Sequence, residues 1–266
     1  MEIFEIRDSS AENLLLGFLF YYEKDRRFYA ELLEEIDEWY APFIFSGQVR
    51  AGNYSIDSSL SLKFVQQRII PRDRQNLGSI LKSNKLKEYD EYKLLCLSDG
   101  RCAQDELFVV KTKEENLPDE IKMRLDRKVL DVIPVNSNEL IVFFRDGYTV
   151  NYSVKENDGD RREFGKILTD PEIFERVRVS PGGNGAEWGE EHEIPALKLR
   201  NSGTPINLNY DVMLSFARRR LADTTESAEF MGCSRQYIGQ MVREDRLHPV
   251  KMTSNNNLFL KSELEK

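Results

Sequence analysis

The sequence predicts an α+β fold made of three domains, and three observations lead to this prediction. Residues 11–39 contain few turn-forming residues and many Leu, Phe, Tyr, Glu and Arg, which favours helix and predicts a mostly helical N-terminal domain over residues 1–127. Residues 128–203 alternate short apolar runs with turns that contain Gly or Pro, which predicts a small α+β domain rich in β-hairpins. Residues 209–266 contain short amphipathic helical segments and then two apolar runs around an Asn-rich turn, which predicts a third domain of helices and one hairpin.

The composition excludes several classes of protein. The chain has 266 residues, 40% of them hydrophobic, and a formal net charge of -8, which is typical of a globular protein and unlike one that coats nucleic acid with its whole surface. Three cysteines without a CxxC pair fit a reducing cytoplasm, and two histidines are too few for a zinc site. The start MEIFEIRDSS lacks the basic region of a signal peptide, and the apolar run Leu14 to Tyr22 is shorter than the roughly 20 residues of a membrane helix. We therefore expect a cytoplasmic protein with no membrane segment, no metal and no cofactor.

The N-terminal domain is predicted to be built from helices and one short strand. Residues 11–39 are expected to form one long helix or two shorter ones, with aromatic residues up to Trp39 and Tyr40 in the core, while an aromatic groove for a partner stays open as an alternative. Further helices are predicted after Asp57, around residues 77–81 and over residues 89–96, and a strand is predicted over residues 107–110. The carboxylates here match no catalytic or metal-binding spacing, so we predict no catalytic residue and no enzyme. An enzyme that uses Asp99 or Asp105 remains a weaker alternative.

The middle domain is predicted from a series of strand and turn signals. Residues 129–135, 140–144 and 150–154 form three apolar runs, with an Asp146-Gly147 hairpin signal between the second and third. Asp170-Pro171 opens a short helix, residues 177–179 resume β-structure, and a Gly-rich turn at residues 181–185 leads to Trp188. The order of strand, Phe-x-Asp-Gly hairpin, strand, Asp-Pro-x-x-Phe helix, Val-x-Val strand and Trp resembles a small bacterial α+β domain of unknown function. The resemblance covers about residues 128–200 and implies no reaction.

The C-terminal domain shows the capping signals of two consecutive short helices. Asp223 and Glu226 have the spacing of an N-cap with a reciprocal carboxylate at N3, and Gly232 lies where a helix end needs a positive φ. Ser234 is the predicted cap of a second helix, whose Ile238, Met241 and Val242 form one buried face. The apolar runs at residues 247–251 and 258–260 are predicted to form a two-stranded wing.

The polar residues of this domain are of the types that contact DNA. Arg bonds guanine, Gln bonds adenine, and Tyr or Lys reaches phosphates. The predicted DNA-binding residues lie on the second helix and the wing: Ser234, Arg235, Gln236, Tyr237, Gln240, Arg243, Lys251 and Asn256. The run Arg218-Arg219-Arg220 is interpreted first as a solvated charge run, while contact with the DNA backbone or with the acidic middle domain stays open.

The segment resembles the excisionase/MerR-like winged helix-turn-helix. The matching run is Glu226-Ser227-Ala228-Glu229-Phe230-Met231-Gly232-Cys233-Ser234-Arg235, followed by the apolar helix positions, residues 247–250 and residues 257–260. The match covers about 45 residues. Asp223 stands where the family has a Thr cap, Ser227 where it has Ala, and Glu244-Asp245 adds two acids at the end of the recognition helix.

The resemblance implies a sequence-specific DNA-binding regulator of bacterial or phage type. Its partners would be double-stranded DNA and either a second copy of the chain or another protein, because few cations per chain favour a dimer or a higher assembly that reads paired half-sites. The alternative is a protein-interaction adaptor or antitoxin-like protein in which the helix-turn-helix is a docking unit. The acidic net charge favours this alternative.

Overall fold

A computed structural model describes residues 1–154, 164–253 and 256–264 of the protein. Over these residues the fold is mixed α+β, with four β-sheets and twelve α-helices. The chain forms two compact units, the first made of residues 1–146 and 150–204 and the second of residues 147–149 and 205–266. The first unit thus includes both segments that the sequence analysis separated at residue 128.

The prediction of a helical N-terminal domain is wrong, because this part of the chain is built around a five-stranded antiparallel sheet. Its strands lie in the order β4–β3–β2–β1–β5. Their bounds are β1 (Glu2–Asp8), β2 (Leu14–Tyr22), β3 (Arg27–Leu32), β4 (Ser55–Ile56) and β5 (Leu107–Thr112). Residues 11–39, which were predicted to be helical, therefore contain two central strands.

The central position of β2 and β3 explains why their pattern was misread. Residues 16–21 of β2 are buried and lack the alternation of apolar and polar residues that identifies a half-buried strand, whereas β3 is buried throughout although Arg27 and Glu31 alternate with apolar residues. A continuous apolar run of this kind is compatible with a buried strand as well as with a buried helix.

The strand β3 is buried on both faces because its second face carries ion pairs. Phe28, Ala30 and Leu32 belong to the apolar core. The intervening Arg27 and Glu31 are also buried, and they point toward charged residues from later in the first unit. Arg27 pairs with Glu187 and Glu31 pairs with Lys128, each at 2.5 Å.

Five helices accompany this sheet. They are α1 (Ser46–Arg50), α2 (Ser58–Gln66), α3 (Leu77–Ser83), α4 (Glu91–Ser98) and α5 (Asp119–Asp126). The helix predicted after Asp57 is confirmed as α2, since the Asp57 carboxylate accepts a hydrogen bond from Leu60 N at 2.9 Å. Asp99 ends α4 in the left-handed region with a φ of 48°, and Asp105 pairs with Arg68 at 2.5 Å. The Asp105 carboxylate thus has a structural ion pair, and Asp99 ends α4 through its backbone conformation.

The aromatic residues Trp39 and Tyr40 do not lie in the core, in contrast to their prediction. Their exposed fractions are 84% and 56%, and Phe43 is 94% exposed. The Asp37 carboxylate accepts hydrogen bonds from Trp39 N (2.9 Å) and Tyr40 N (3.1 Å) and fixes the turn on which both lie. We call Trp39, Tyr40 and Phe43 the aromatic surface.

The remaining strands of the first unit form two further sheets. The strands β6 (Val129–Pro134), β7 (Glu139–Phe144) and β8 (Thr149–Ser153) share a sheet with the short β12 (Thr204–Pro205), in the order β12–β8–β7–β6. The strands β9 (Arg178–Val179), β10 (Gly185–Glu187) and β11 (Glu193–Pro195) lie in the order β11–β10–β9. The Asp146-Gly147 hairpin is confirmed between β7 and β8, with a φ of 83° at Gly147.

Among the described residues after β8, the first unit also contains three short helices: α6 (Gly165–Thr169), α7 (Pro171–Phe174) and α8 (Ala196–Ser202). The predicted start of α7 is confirmed, because Asp170 caps it and Pro171 occupies the first helical position. Trp188 lies beside Phe174, to whose carbonyl oxygen its Nε1 donates a hydrogen bond of 2.9 Å.

The second unit contains α9 (Tyr210–Arg220), β13 (Leu221–Asp223), α10 (Thr224–Phe230), α11 (Arg235–Arg243), β14 (Leu258–Leu260) and α12 (Lys261–Leu264). Its core is small and consists of Ala222, Ala228, Ile238, Met241, Leu247, Phe259 and Leu264. Among the helices of the described residues, none combines the length and the apolar character needed to cross a bilayer. The same residues contain no group of three or more His, Cys, Asp or Glu arranged to hold a metal ion.

Candidate nucleic-acid interface

The helices α10 and α11 begin at the caps that the sequence predicts. The Asp223 carboxylate accepts hydrogen bonds from Thr225 N (2.7 Å) and Glu226 N (2.9 Å), while the Glu226 carboxylate accepts one from Asp223 N (3.0 Å). This reciprocal capping box holds the pKa of the Asp223 carboxyl below its usual value, chiefly through the backbone hydrogen bond from Glu226. Ser234 Oγ accepts from Tyr237 N at 3.2 Å and starts α11.

The turn between the two helices is short and fixes the position of α11. Cys233 N donates to the carbonyl oxygen of Ala228 at 2.9 Å, and Gly232 has a φ of 64°, as a residue that ends a helix requires. Ile238 and Met241 are buried on one side of α11, with Val242 packed beside them. The helix is therefore attached to the unit by its apolar face.

The opposite face of α11 is exposed over its whole length. Gln236, Gln240 and Arg243 follow one another at i, i+4 and i+7, so they form one stripe on the side away from Ile238. Arg235 and Tyr237 lie on either flank of this stripe and are exposed as well. All five residues that the sequence analysis placed on this face are accessible to a partner.

The C-terminal end of α11 carries a small polar cluster. The Glu244 carboxylate accepts hydrogen bonds from Gln240 Nε2 (2.6 Å) and Arg246 Nη1 (3.2 Å). The bond from Gln240 is the main cause that lowers the pKa of Glu244, so this carboxylate is ionised at neutral pH. Arg246 also lies 3.5 Å from Tyr237 Oη. Sequence reasoning missed Arg246, which adds a cation beside the exposed face.

The segment after α11 differs from the predicted two-stranded wing. Residues 247–251 are not a strand, because only Lys251 forms a bridge with Leu258. The strand β14 pairs instead with β13, in an antiparallel register that places Leu221 opposite Leu260. Leu247, which was expected in the strand, is buried in the core of the unit. Lys251 is exposed, and the tip residues 254 and 255 lie outside the described residues.

Asn256 has a structural contact in the free protein. Its Oδ1 accepts a hydrogen bond from Thr224 N at 3.0 Å, at the start of α10. Asn257 N donates to Thr224 Oγ1 at 3.0 Å and strengthens the same connection. Asn256 therefore holds the returning segment against α10. Sequence spacing alone gave no signal for this contact, because the two residues are 32 positions apart.

The helix α9 has no buried residue. Val212 and Phe216 occur at i and i+4 on one face, and their side chains are 61% and 53% exposed. Arg218 and Arg219 are exposed at the end of the helix. An eleven-residue helix with an uncovered apolar face is unusual, since helices in proteins owe most of their stability to packing of that face.

The charge of the C-terminal region is close to balanced. Residues 205–266 contain nine Lys and Arg and eight Asp and Glu. Six of the cations lie on α11 or after it in the sequence, and four of these, Arg235, Arg243, Arg246 and Lys251, lie between residues 235 and 251. The electrostatic attraction to phosphates is thus modest and local.

No protein-family model matches the chain, and no curated protein and no solved structure is significantly similar to it. The resemblances to the excisionase/MerR-like winged helix-turn-helix and to the small bacterial α+β domain therefore remain predictions. What the geometry itself provides is a capped helix that is held by its apolar face and exposes a polar face of Gln, Arg and Tyr.

Proposed function

We propose that the protein is a cytoplasmic, sequence-specific DNA-binding regulator of bacterial or phage type, and that it acts through α11. The observation that carries this proposal is the exposed stripe of Gln236, Gln240 and Arg243 opposite the buried face of the same helix. A helix of this width fits the major groove of B-DNA, where Gln and Arg side chains distinguish bases.

Each residue of the interface has a role that follows from its position. Gln236, Gln240 and Arg243 face the base edges, because they lie at the centre of the exposed face. Arg235, Tyr237 and Lys251 contact phosphates from its flanks. Ser234 holds the N-terminus of the helix, and Asn256 positions the returning segment through its bond to Thr224.

We propose a homodimer that forms through α9. The uncovered face with Val212 and Phe216 suits another helix of the same kind, and Asp211 and Arg218 lie two turns apart along one side of that face. An antiparallel pair would place Asp211 of one protomer beside the partner's Arg218. Two copies double the number of phosphate contacts that one chain supplies.

Selection from a random duplex library tests the regulator. The wild-type chain is expected to enrich one motif, and the double variant Gln236→Ala/Gln240→Ala is expected to lose that preference. The matched control Glu229→Ala, on the exposed side of α10, should enrich the same motif as wild type. Each lost bidentate base contact is expected to reduce discrimination by about 1–3 kcal/mol. Enrichment of no motif by the wild-type chain would contradict the proposal.

A second candidate function is a protein-interaction adaptor, and the aromatic surface favours it. Three aromatic side chains exposed in one segment of five residues are characteristic of protein-binding surfaces, which are enriched in Trp, Tyr and Phe. An adaptor would lose its partner in Trp39→Ala/Phe43→Ala and keep it in Arg235→Ala/Gln240→Ala. A regulator shows the reverse pattern in DNA binding.

A further inference from the structure

A cavity of about 620 Å³ opens within the first unit. Residues 52–57 around β4 form one wall, the C-terminal turn of α5 and Lys128 form a second, and β11 with α8 forms the third. Tyr29 of β3 and Asn184 also line it. The volume is in the range of pockets that hold small molecules.

The inner wall of this cavity is a buried charge network with more cations than anions. The Glu31 carboxylate is 2% exposed and accepts hydrogen bonds from Lys128 Nζ (2.5 Å), Arg124 Nη1 (3.0 Å) and Ser55 Oγ (2.7 Å). The side chains of Lys128 and Arg124 are themselves only 7% and 13% exposed. One carboxylate thus faces two cations, and the triad keeps a net positive charge where water is largely excluded. Such a charge is costly unless a further anion balances it.

Two guanidinium groups next to this network can donate hydrogen bonds to a ligand. Arg124 Nε is buried and has no hydrogen-bond partner, which is rare for a guanidinium nitrogen inside a protein. Arg127 lines the cavity one turn further along, and within the described part of the chain its side chain has no ion-pair partner. Both groups can bond an oxyanion, for which the planar guanidinium is well suited.

The carboxylates around the cavity do little to balance these cations. Five Lys or Arg and three Asp or Glu line it, and of the five cations Arg200 is paired with Asp146 at 2.8 Å. The Asp57 carboxylate already accepts the Leu60 N hydrogen bond at the start of α2. Glu193 accepts hydrogen bonds from Ser180 Oγ (2.7 Å) and Tyr29 Oη (3.3 Å), and its burial raises the pKa of this carboxyl.

We propose that this cavity is a binding site for a small organic anion, whose phosphate or carboxylate group lies against Arg124, Arg127 and Lys128. The volume leaves room for the rest of the ligand beyond the anionic group. Tyr29 also lines the cavity, and so does Asn184, whose Oδ1 accepts a hydrogen bond from Lys128 Nζ at 2.7 Å. The site lies entirely in the first unit, so it goes beyond the proposed DNA contact.

The test measures binding of inorganic phosphate and of acetate to the full chain by isothermal titration calorimetry, and the melting temperature with each anion at constant ionic strength in chloride. The phosphate and acetate arms distinguish the two kinds of anionic group. Arg127→Gln removes an exposed cation that is not part of the buried triad, so the fold is retained. Lys122→Gln on the same helix α5 makes the same change of charge away from the cavity.

Saturable binding of at least one of the two anions is expected, with a higher melting temperature. Arg127→Gln should weaken that binding by about tenfold, as expected for one charge-assisted hydrogen bond. Lys122→Gln should leave it unchanged. The absence of saturable binding for both anions, or an equal effect of the two variants, would overturn the proposal. The measurement contains no DNA, so its result is independent of the proposed regulator.

Discussion

Glu31 and Glu187 are buried carboxylates and Glu193 is a partly buried one, and each is stabilised in a different way. Glu31 contacts two cations, and Glu187 is bonded by Arg27 and by Arg178 at 2.7 Å. Glu193 has only hydroxyl donors in direct contact. Burial without a bonded cation is why the pKa of Glu193 is raised.

This difference predicts how stability changes with pH. Because the pKa of Glu193 is higher in the folded chain than in the unfolded chain, the folded state binds its proton more tightly. Stability from this group is present at low pH and is lost as the pH rises through the raised pKa. Ser180, Tyr29, Glu187 and Arg27 surround the carboxyl, and the nearby Glu187 increases the effect.

The variant Glu193→Gln is expected to remove this loss. The difference in free energy of unfolding between variant and wild type, measured by urea denaturation from about pH 4 to pH 8, should increasingly favour the variant as the pH rises. Glu191→Gln, an exposed neighbour, serves as the control and should show no such trend. A difference that stays constant with pH for Glu193→Gln would contradict the assignment.

At the scale of elements, local signals predicted helix starts well. Asp57, Asp170, Asp223 and Ser234 cap helices where the sequence places them, because a cap depends on residues within one turn. The exposed and buried faces of α11 were predictable for the same reason, since they follow from a period of 3.6 residues.

The secondary structure of segments that pack against residues far away in the sequence was not predictable. The sequences of β2 and β3 favoured a helix prediction because the second face of each strand is buried by other parts of the chain. An example is the ion pair of Arg27 with Glu187, which lies 160 residues away. The segment 247–251 was expected to pair with residues 258–260, but β14 pairs with β13, which comes before both helices. No local pattern distinguishes these two pairings. The anion cavity was missed for a similar reason, as its residues come from five separate segments.

The helix α11 contains Gly239, and a substitution there tests whether this helix contacts DNA. An added Cβ at Gly239 would meet no heavy atom within 4 Å, so Gly239→Ala should raise the free energy of unfolding by about 0.5–1 kcal/mol. Gly239 lies between Arg235 and Arg243 on the exposed side, where the proposed DNA approaches. The same variant is therefore expected to bind duplex DNA more weakly while being more stable.

Gly78→Ala in α3 is the control for this experiment, because its added Cβ also meets nothing within 4 Å. It should not affect DNA binding. Stability is measured by thermal unfolding and affinity by fluorescence anisotropy with a labelled duplex. If Gly239→Ala gains stability and keeps full DNA affinity, α11 does not approach a groove as closely as we propose.

At the scale of the whole molecule, charge is divided unevenly along the chain. Residues 1–204 contain 38 Asp and Glu against 29 Lys and Arg, whereas residues 205–266 are nearly balanced. An acidic first unit disfavours non-specific attachment to DNA. Useful affinity for a specific site then depends on few contacts per chain and on assembly of more than one copy.

The proposed assembly through α9 is tested by sedimentation velocity. The wild-type chain is expected to be dimeric at micromolar concentration, and Phe216→Glu should make it monomeric because it places a charge in the apolar contact. Asp211→Arg and Arg218→Asp should each weaken the dimer, whereas the double variant should restore it, since the charges are exchanged between opposed positions. A wild-type monomer, or a dimer that Phe216→Glu leaves intact, would contradict the assembly.

The salt dependence of duplex binding by the full chain tests the central claim most directly. With Arg235, Arg243, Arg246 and Lys251 as phosphate or base contacts, the slope of log Kobs against log salt concentration should be roughly -3 to -4 per chain. Arg235→Gln should make this slope less negative by about 1, because Arg235 is proposed to contact a phosphate, while Gln240→Ala should lower affinity and leave the slope unchanged. No binding to any duplex at low salt, or a slope that Arg235→Gln does not alter, would contradict DNA recognition by α11.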